Sequence, residues 1–469
     1  MGLAMIPSLM AAVIYQEKTA LVAFLTASIG LLVVGFVLFL AGEAIPAKLT
    51  IRDGFLTVSL CWFLASALGS LPFILSGSIP GFVNAFFETT SGFTTTGSSI
   101  LANVEALPKS ILFWRSFTAW TGGAAILVFA IALMPSLGLS GQKIAMTEAP
   151  DSVIKKATSQ TFRAVRSLCA VYLAFSVAEA LLLCLGGMSL FDSMIHTFGS
   201  VSTGGFSDYH DSIGHFDSAY IYLVITIFML LPAFNFNWYY NALHRGGGSM
   251  FKDSELRFYM LLTGILILFI ALDLRFSGTD GTTGQSFLDA LFQTVSMITT
   301  TGFTTADYNF WPTFSKILLF MMMFIGGCSA SAGGGIKAVR ILLLLRLVAR
   351  GIATRLHPSA VVIVKLNGRT LPGDTVSGIV NFTFFYTVVL FVFTVFLSLN
   401  NYDLITTVSS VAVCLGNVGP GFGPAGPAGS FSIYAPAAKL LLSFLMVCGR
   451  LELFAVFTLL IPKFWRHDY

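Results

Sequence analysis

The sequence carries little charge: of its 469 residues only 10% are Asp, Glu, Lys or Arg, whereas 56% are hydrophobic. A soluble globular chain has roughly 25% charged residues, so this composition excludes a protein whose whole surface faces water. The apolar runs, such as 20–41 and 379–399, lack the alternation expected of an outer-membrane barrel. The composition therefore predicts a helical membrane protein, because a helix satisfies its backbone polar groups internally.

Other absences exclude further classes of function. The six cysteines stand singly, without CxxC or Cys/His spacing, which excludes a disulfide framework and a zinc site. The basic residues lie in short loops rather than in one stripe, so nucleic acid is not an expected partner. No convergent set of His, Ser and carboxylate residues stands out, so we expect neither an enzyme nor a cofactor bound by this chain.

Two leading transmembrane helices are predicted at 1–15 and 19–42. The rest of the chain divides into four units of one order: a long apolar helix, a half-length helix, a stretch rich in Thr, Ser and Gly, and a second long helix. The predicted boundaries are 1–45, 46–140, 141–250, 251–355 and 356–469. The predicted elements of the four units are 55–75, 82–93, 94–99 and 110–134; 167–185, 191–200, 201–206 and 219–243; 258–274, 287–298, 299–305 and a broken helix over 313–350; and 376–399, 404–415, 416–421 and 437–460.

Similarity between the units supports an internal repeat. The segment 86–97, FFETTSGFTTTG, matches 291–302, LFQTVSMITTTG, at Phe, Thr, Ser and the closing Thr-Thr-Thr-Gly. The fourth unit is the most divergent, and Gly419 of its Gly-Asn-Val-Gly segment is the best match for the key glycine. We therefore predict an all-α polytopic membrane protein, in which four M–P–M repeats (helix–pore loop–helix) surround a central pore.

Each Thr/Ser/Gly-rich stretch has a composition suited to binding a cation. A cation gives up its water where carbonyl oxygens replace it, and glycine permits the backbone angles that turn carbonyls inward. The C-terminal end of the preceding short helix adds attraction for positive charge. The alternative is that the small residues only allow close helix packing. The predicted ion-binding residues are Thr95, Thr96, Gly97, Thr203, Gly204, Gly205, Thr300, Thr301, Gly302, Asn417, Val418 and Gly419.

Most of the 26 Lys and Arg residues fall on the face opposite the four stretches. The positive-inside rule makes that face cytoplasmic, so the stretches are predicted to open outward. Asp208 and Asp307 follow the glycines of their own units and would attract cations to this mouth, unless they are only solvated loop carboxylates.

The Gly-rich segment 326–335 interrupts an apolar helix. It lacks the Gly-Lys-Ser/Thr ending of a phosphate-binding loop, so we do not predict nucleotide binding there. Non-helical backbone at membrane depth must face protein or water, which suits a flexible plug below the pore; the alternative is a packing kink. Arg450, the clearest basic charge deep in a predicted span, is expected to bond the freed carbonyls, unless it pairs with another helix. The predicted gate residues are Gly326, Gly327, Gly333, Gly334, Gly335, Lys337 and Arg450.

Four further motifs carry a resemblance to a known family: WRSFTAWTGG at 114–123, DSELR at 253–257, GGCSASAGGGIK at 326–337 and GRLE at 449–452. With the four stretches they make the whole chain similar to the Trk/Ktr/HKT superfamily of potassium transporters, and within it to the bacterial TrkH branch. The resemblance implies a homodimer in the bacterial inner membrane, with potassium as substrate. It also implies a cytosolic ring of TrkA-type subunits that carries the regulatory nucleotide.

The expected function is potassium uptake through a channel-like pore, gated by the loop 326–335 and by the partner ring. Ser-Thr-Gly-Gly and Gly-Asn-Val-Gly depart from the Thr-Val-Gly-Tyr-Gly of potassium channels, so a pore of modest selectivity stays open as an alternative. The other alternative is a proton- or sodium-coupled symporter, whose titrating acid would be Glu88, Glu179 or Asp289.

Overall fold

The computed structural model describes residues 1–42, 51–132, 151–245, 252–278, 282–359 and 362–465. Two helices lead the chain: α1 (Ile6–Ile14), which follows a 3-10 turn, and α2 (Lys18–Ala41). The nine residues of α1 are too few to cross a bilayer alone, whereas α2 is long enough. The predicted boundaries at 45, 140 and 250 lie outside the described residues.

The remaining helices fall into four consecutive groups, which are numbered here after the four predicted repeats. The first group is α3 (Ile51–Gly69), α4 (Leu71–Leu75), α5 (Phe82–Phe93) and α6 (Lys109–Ala132). The second is α7 (Asp151–Leu185), α8 (Leu190–Val201), α9 (Ala219–Ala233) and α10 (Phe236–Arg245). The third is α11 (Ser254–Ser277), α12 (Thr283–Ile298), α13 (Thr313–Ile325) and α14 (Ala338–Leu356). The fourth is α15 (Gly373–Leu397), α16 (Leu404–Gly416), α17 (Pro436–Arg450) and α18 (Phe454–Phe457).

Within the described residues, six helices are long and apolar enough to cross a membrane, and a seventh span results if the bent pair α17 and α18 is counted as one. The prediction of a helical polytopic membrane protein is confirmed. Large apolar side chains such as Phe39 and Phe384 are exposed on α2 and α15, as expected of helices that face lipid. The six spans are Lys18–Ala41, Arg52–Leu75, Lys109–Phe129, Val165–Leu185, Ser254–Ser277 and Gly373–Asn400.

The second long helix is broken in the last three groups. The sequence predicts this break over 313–350, but the unbroken helices predicted over 219–243 and 437–460 are wrong. Pro232 has no N–H and ends α9, because its ring clashes with the preceding turn. Leu453 has a φ of 55° and turns the chain, so that α17 and α18 meet at 114°.

A short hairpin joins the third group to the fourth. Strand β1 (Lys365–Leu366) pairs antiparallel with β2 (Arg369–Thr370). Asn367 and Gly368 connect them with φ values of 49° and 77°, which is the turn that Asn-Gly favours in two-residue hairpins. This hairpin is a small departure from the all-α prediction. It could not be predicted from the sequence pattern, because strands of two residues are too short to show alternation.

Candidate ion pathway

The four stretches share one backbone conformation. The first residue of each predicted triplet has a positive φ, and so does the glycine two places later. Positive φ is rare for a β-branched residue, so its recurrence at three threonines in equivalent positions marks a shared structural demand. The angles are 51° at Thr95, 57° at Thr203, 60° at Thr300 and 53° at Asn417, and 83° at Gly97, 61° at Gly205, 83° at Gly302 and 116° at Gly419.

The four glycines form a closed ring. A Cβ added at Gly97 would lie 2.6 Å from the carbonyl oxygen of Gly204, in the second repeat. One at Gly419 would lie 3.2 Å from the carbonyl oxygen of Thr96, which returns to the first repeat. Between these two contacts the order continues, because a Cβ at Gly205 would overlap the Thr301 carbonyl oxygen and one at Gly302 that of Val418. Glycine is therefore required at close backbone approaches around one centre.

The ring contains carbonyl oxygens that take part in no hydrogen bond of the described structure. The residue before each glycine has a carbonyl that accepts no hydrogen bond from any described residue. A buried carbonyl without a donor is costly unless another group, such as a cation, binds it. The Thr95 hydroxyl is likewise buried and has no partner among the described residues. The four carbonyls are those of Thr96, Gly204, Thr301 and Val418.

The half-length helices α5, α8, α12 and α16 all end at the ring. Their C-terminal ends carry partial negative charge, which favours a cation at this place. A cavity of about 80 Å³ lies against the ring and is lined by residues from all four repeats, among them Gly97, Gly205, Gly302 and Pro420. The arrangement can thus hold a dehydrated cation and leave it an approach.

Behind each stretch, a buried polar side chain of the half-length helix forms a hydrogen bond with a residue just after the glycine: with its backbone in the first, third and fourth stretches, and with the Ser207 hydroxyl in the second. We call these side chains the bracing residues. The hydrogen bonds measure between 2.6 and 3.0 Å. Sequence reasoning missed this role, because each short helix carries several polar residues and nothing in the sequence singles one of them out. The pairs are Glu88 with Ser99 and Ile100, His196 with Ser207, Ser296 with Phe303, and Ser409 with Phe422.

Glu88 also forms a buried ion pair, with Arg115 Nε 2.6 Å from Glu88 Oε1. Arg115 Nη1 donates to the Ser207 carbonyl at 2.7 Å, and the guanidinium lies 3.8 Å from the centre of the Phe206 ring. The pair therefore joins the first stretch to the end of the second. Arg115 is a second buried arginine in a spanning helix, whereas the sequence singled out Arg450 alone.

Substituting Glu88→Gln should destabilise the protein markedly. The change leaves the Arg115 charge buried without its partner, and breaking such a pair costs roughly 3–5 kcal/mol. We expect a lower midpoint of thermal unfolding in detergent, and partial recovery when Arg115→Met is added. Asp211→Asn, on an exposed loop, is the matched control. A midpoint equal to that of the wild type would show that the pair does not hold the two stretches together.

The loop 326–335 lies directly against the second, third and fourth stretches. Its glycines leave no room for side chains, since a Cβ at Gly326 would overlap the Gly334 carbonyl oxygen, and one at Gly334 that of Gly416. The loop thus packs beneath the ring. The contacts are Gly334 N to Thr300 Oγ1 at 2.7 Å, Thr203 Oγ1 to the Ala332 carbonyl at 3.1 Å, and Gly335 N to the Gly416 carbonyl at 2.9 Å.

On its other side the loop completes the broken helix of the second repeat. Cys328 N donates to the Ala233 carbonyl at 2.8 Å, and Ala332 N donates to the Pro232 carbonyl at 3.0 Å. Both carbonyls are freed by the end of α9. The breaks in the second and third repeats therefore satisfy each other's backbone groups, which is what the interior of a membrane requires.

Two basic side chains bind carbonyls of this loop. Arg450 Nη1 donates to the Ala332 carbonyl at 2.7 Å, and its Nε and Nη2 have no partner among the described residues. Lys337 Nζ donates to the Gly333 carbonyl at 2.7 Å. Arg450 is the last residue of α17 rather than a mid-helix residue, because the helix breaks immediately after it. Glu452, close by in sequence, pairs instead with Arg340 at 2.6 Å.

Most of the acidic residues named from the sequence interact with neighbouring side chains or backbone groups. Asp208 is buried, 3.5 Å from His196 Nε2, and burial together with the nearby Asp192 carboxylate raises the pKa of Asp208 well above its usual range. Asp307 accepts from Asn309 N at 2.9 Å and caps a 3-10 turn. Asp289 accepts from Gln285 and Thr305, and Glu179 from Ser200. Glu179 Oε2 and Asp208 Oδ1 are buried without a hydrogen-bond partner among the described residues.

The chain was compared with known proteins, and residues 21–467 match the TrkH family, described as cation transport protein. The chain belongs to the TrkH family. A TrkH potassium uptake protein from Vibrio parahaemolyticus is 37% identical over 98% of this chain and 96% of its own length. The Escherichia coli K12 TrkH protein is 36% identical, over 99% of this chain and 96% of its own.

A solved structure agrees with this assignment. The crystal structure of the potassium transporter TrkH from Vibrio parahaemolyticus superposes with a TM-score of 0.90 at 36% identity, and covers 99% of this chain and 96% of that one. As a TrkH family member, the protein is a transporter and not an enzyme, and its spans make it a multi-pass protein of the bacterial inner membrane.

Proposed function

We propose that this chain takes up potassium through the ring of four stretches. The observation that carries the proposal is the closed ring of Gly97, Gly205, Gly302 and Gly419, with free carbonyl oxygens between them. Carbonyl rings replace the hydration shell of an ion, and no bond is made or broken in the passage. The relatives named as potassium uptake proteins support potassium as the cargo.

Loop 326–335 is the gate in this proposal. It occupies the space below Thr300 and Thr203, and Arg450 and Lys337 place two positive charges beside it. A cation leaving the ring meets both a backbone plug and an unfavourable field. The gate opens when the loop leaves these contacts.

A channel-like passage is preferred over symport. Coupling needs an acid that exchanges protons with the ion path. Glu88 is tied to Arg115, and Asp289 to Gln285 and Thr305, so both are fixed in place. Glu179 is fully buried and bonded to Ser200 on α8, so it lies behind the short helix rather than in the ring.

The test is flux in liposomes that contain the purified protein. With unequal potassium and proton gradients, we expect the current to reverse at the potassium equilibrium potential at every pH. Rubidium or potassium influx should also exceed sodium influx. A reversal potential that follows the proton or sodium gradient would support symport, and equal potassium and sodium fluxes would contradict a selective ring. Protein-free liposomes and the Gly264→Ser variant, at an open lipid-facing site, serve as controls.

The partner ring is proposed to dock on the cytoplasmic basic surface, between the end of α14 and the hairpin. The basic cytoplasmic segments 143–166 and 340–369 offer the most charge for such a contact. Segment 143–166 lies partly outside the described residues, whereas Arg350, Arg355, Lys365 and Arg369 of the second segment are exposed. Charge reversal of these four residues to Glu should abolish co-purification with a TrkA-type nucleotide-binding ring and leave the proposed homodimer intact. Undiminished co-purification would place the docking surface elsewhere. Reversal of the exposed Lys18, on the predicted outer face, is the control.

A further inference from the structure

The hairpin between the third and fourth repeats is bonded to the start of α11. Asn367, at the turn, donates from Nδ2 to Asp253 Oδ2 at 2.9 Å. Its Oδ1 accepts from the backbone N–H of Ser254 at 2.7 Å. One exposed side chain thus binds both the residue that caps α11 and the first residue of that helix, although more than a hundred positions separate them in sequence.

Asp253 connects the hairpin to the helix itself through hydrogen bonds. Its other oxygen, Oδ1, accepts from the N–H groups of Glu255 and Leu256 at 2.7 and 3.4 Å. These are N–H groups of the first turn, which have no partner inside the helix. The hairpin therefore sets the position of the first turn of α11, in which Glu255 lies.

Glu255 in turn holds the intramembrane loop. Its Oε1 accepts from Ser329 N at 2.5 Å and its Oε2 accepts from Ser329 Oγ at 2.6 Å. The carboxyl group is buried, so its two short bonds are not in competition with water. The DSELR motif at 253–257 thus connects the exposed turn of the hairpin to residue 329 of the loop. Neither the ring nor the gate had given this motif a role.

We infer that Asn367 is a positioning residue for the loop 326–335, acting through Asp253 and Glu255 on Ser329. When the Asn367–Asp253 bond is lost, the first turn of α11 shifts and releases Ser329. The link from loop movement to ion flux rests on the proposed function; the link from Asn367 to the loop does not.

Exchanging the two partners tests the contact. Asn367→Asp keeps a residue that suits the turn but sets two carboxylates against each other, and Asp253→Asn sets two amides against each other. The double variant restores one amide and one carboxylate, each able to fill its old place, since Asn caps helices as well as Asp does. A merely structural loss at the hairpin would not be repaired by this exchange.

The readout is Cys328, which lies in the loop and is fully buried. In protein whose other five cysteines are alanine, we measure how fast a water-soluble maleimide labels Cys328 in reconstituted dimers. Because a hydrogen bond to a charged group is lost, we expect labelling about tenfold faster in Asn367→Asp. The double variant should return close to the wild-type rate. Thr370→Ala, on the same hairpin and outside these contacts, should label as the wild type does.

Unchanged labelling in Asn367→Asp, or acceleration that the double variant does not repair, overturns the inference. Potassium flux without a partner is measured on the same samples. Faster labelling with unchanged flux upholds the role of Asn367 but shows that the loop is not the gate. Faster labelling with faster flux, both repaired by the exchange, supports the two together.

Discussion

Gly302→Ser is expected to abolish most of the discrimination between potassium and sodium. Any Cβ at this position would overlap the Val418 carbonyl oxygen, and the φ of 83° disfavours a side chain in its own right. The neighbouring carbonyl must rotate or retreat, and one ligand of the ring is then misplaced. A loss of about 1.4 kcal/mol of differential binding changes the selectivity ratio about tenfold.

The measurement compares potassium and sodium influx into liposomes that contain equal amounts of correctly assembled protein. Gly264→Ser is the control, since nothing lies within 4 Å of a Cβ there. Gly419→Ser should change the selectivity ratio less than Gly302→Ser, because its Cβ would stay 3.2 Å from the Thr96 carbonyl oxygen. If Gly302→Ser assembles normally and keeps the wild-type ratio, the four stretches do not select the ion.

Deleting residues 329–331 should raise potassium flux in the absence of any partner. The deletion removes the bonds of Ser329 to Glu255 and shortens the loop, so that Gly334 and Ala332 no longer reach Thr300 and Thr203 together. Arg450→Ala should act in the same direction by a smaller amount, since it removes one bond to the Ala332 carbonyl. A hydrogen bond to a charged group contributes about 1.5–3 kcal/mol, which corresponds to tenfold or more in the open population.

The two changes should not add, because both release one closed arrangement of the loop. Flux is measured for each single variant and for the pair, with Arg450→Lys as a variant that retains the charge. A deletion variant that folds and conducts no faster than the wild type would make the loop a packing feature. Fully additive effects would separate the Arg450 barrier from the loop barrier.

The sequence predicts the first half-length helix well, because it has a sharp boundary at each end, whereas the third begins at Thr283, four residues before its predicted start. Phe82–Phe93 begins after Pro-Gly and ends at a threonine run, and its predicted bounds match the structure. The glycine of the fourth stretch was harder to identify, because the sequence Gly-Asn-Val-Gly shares little with the other three stretches. The positive φ at Asn417 and Gly419 matches the backbone of the fourth stretch to that of the others.

The breaks in the second and fourth repeats could not be predicted in the same way. Pro232 occurs within a helix that is otherwise strongly apolar. The break at Pro232 is tolerated because the loop of the next repeat donates a hydrogen bond to the Pro232 carbonyl. Leu453 carries no local sign of a turn at all. The bracing residues were missed because each short helix carries several polar residues, and the sequence does not reveal which of them bonds to the stretch that follows.

The ring is built from one chain, and its quadrants are chemically unequal. Three first positions are threonines, while Asn417 uses its amide to bond the Thr96 hydroxyl and the Met446 carbonyl, both at 2.9 Å. In a pore assembled from four identical subunits, each mutation is repeated fourfold and its effect is multiplied. Here a single codon change alters one quarter of the ring. If the ring selects the ion as proposed, ion preference can be adjusted one quadrant at a time.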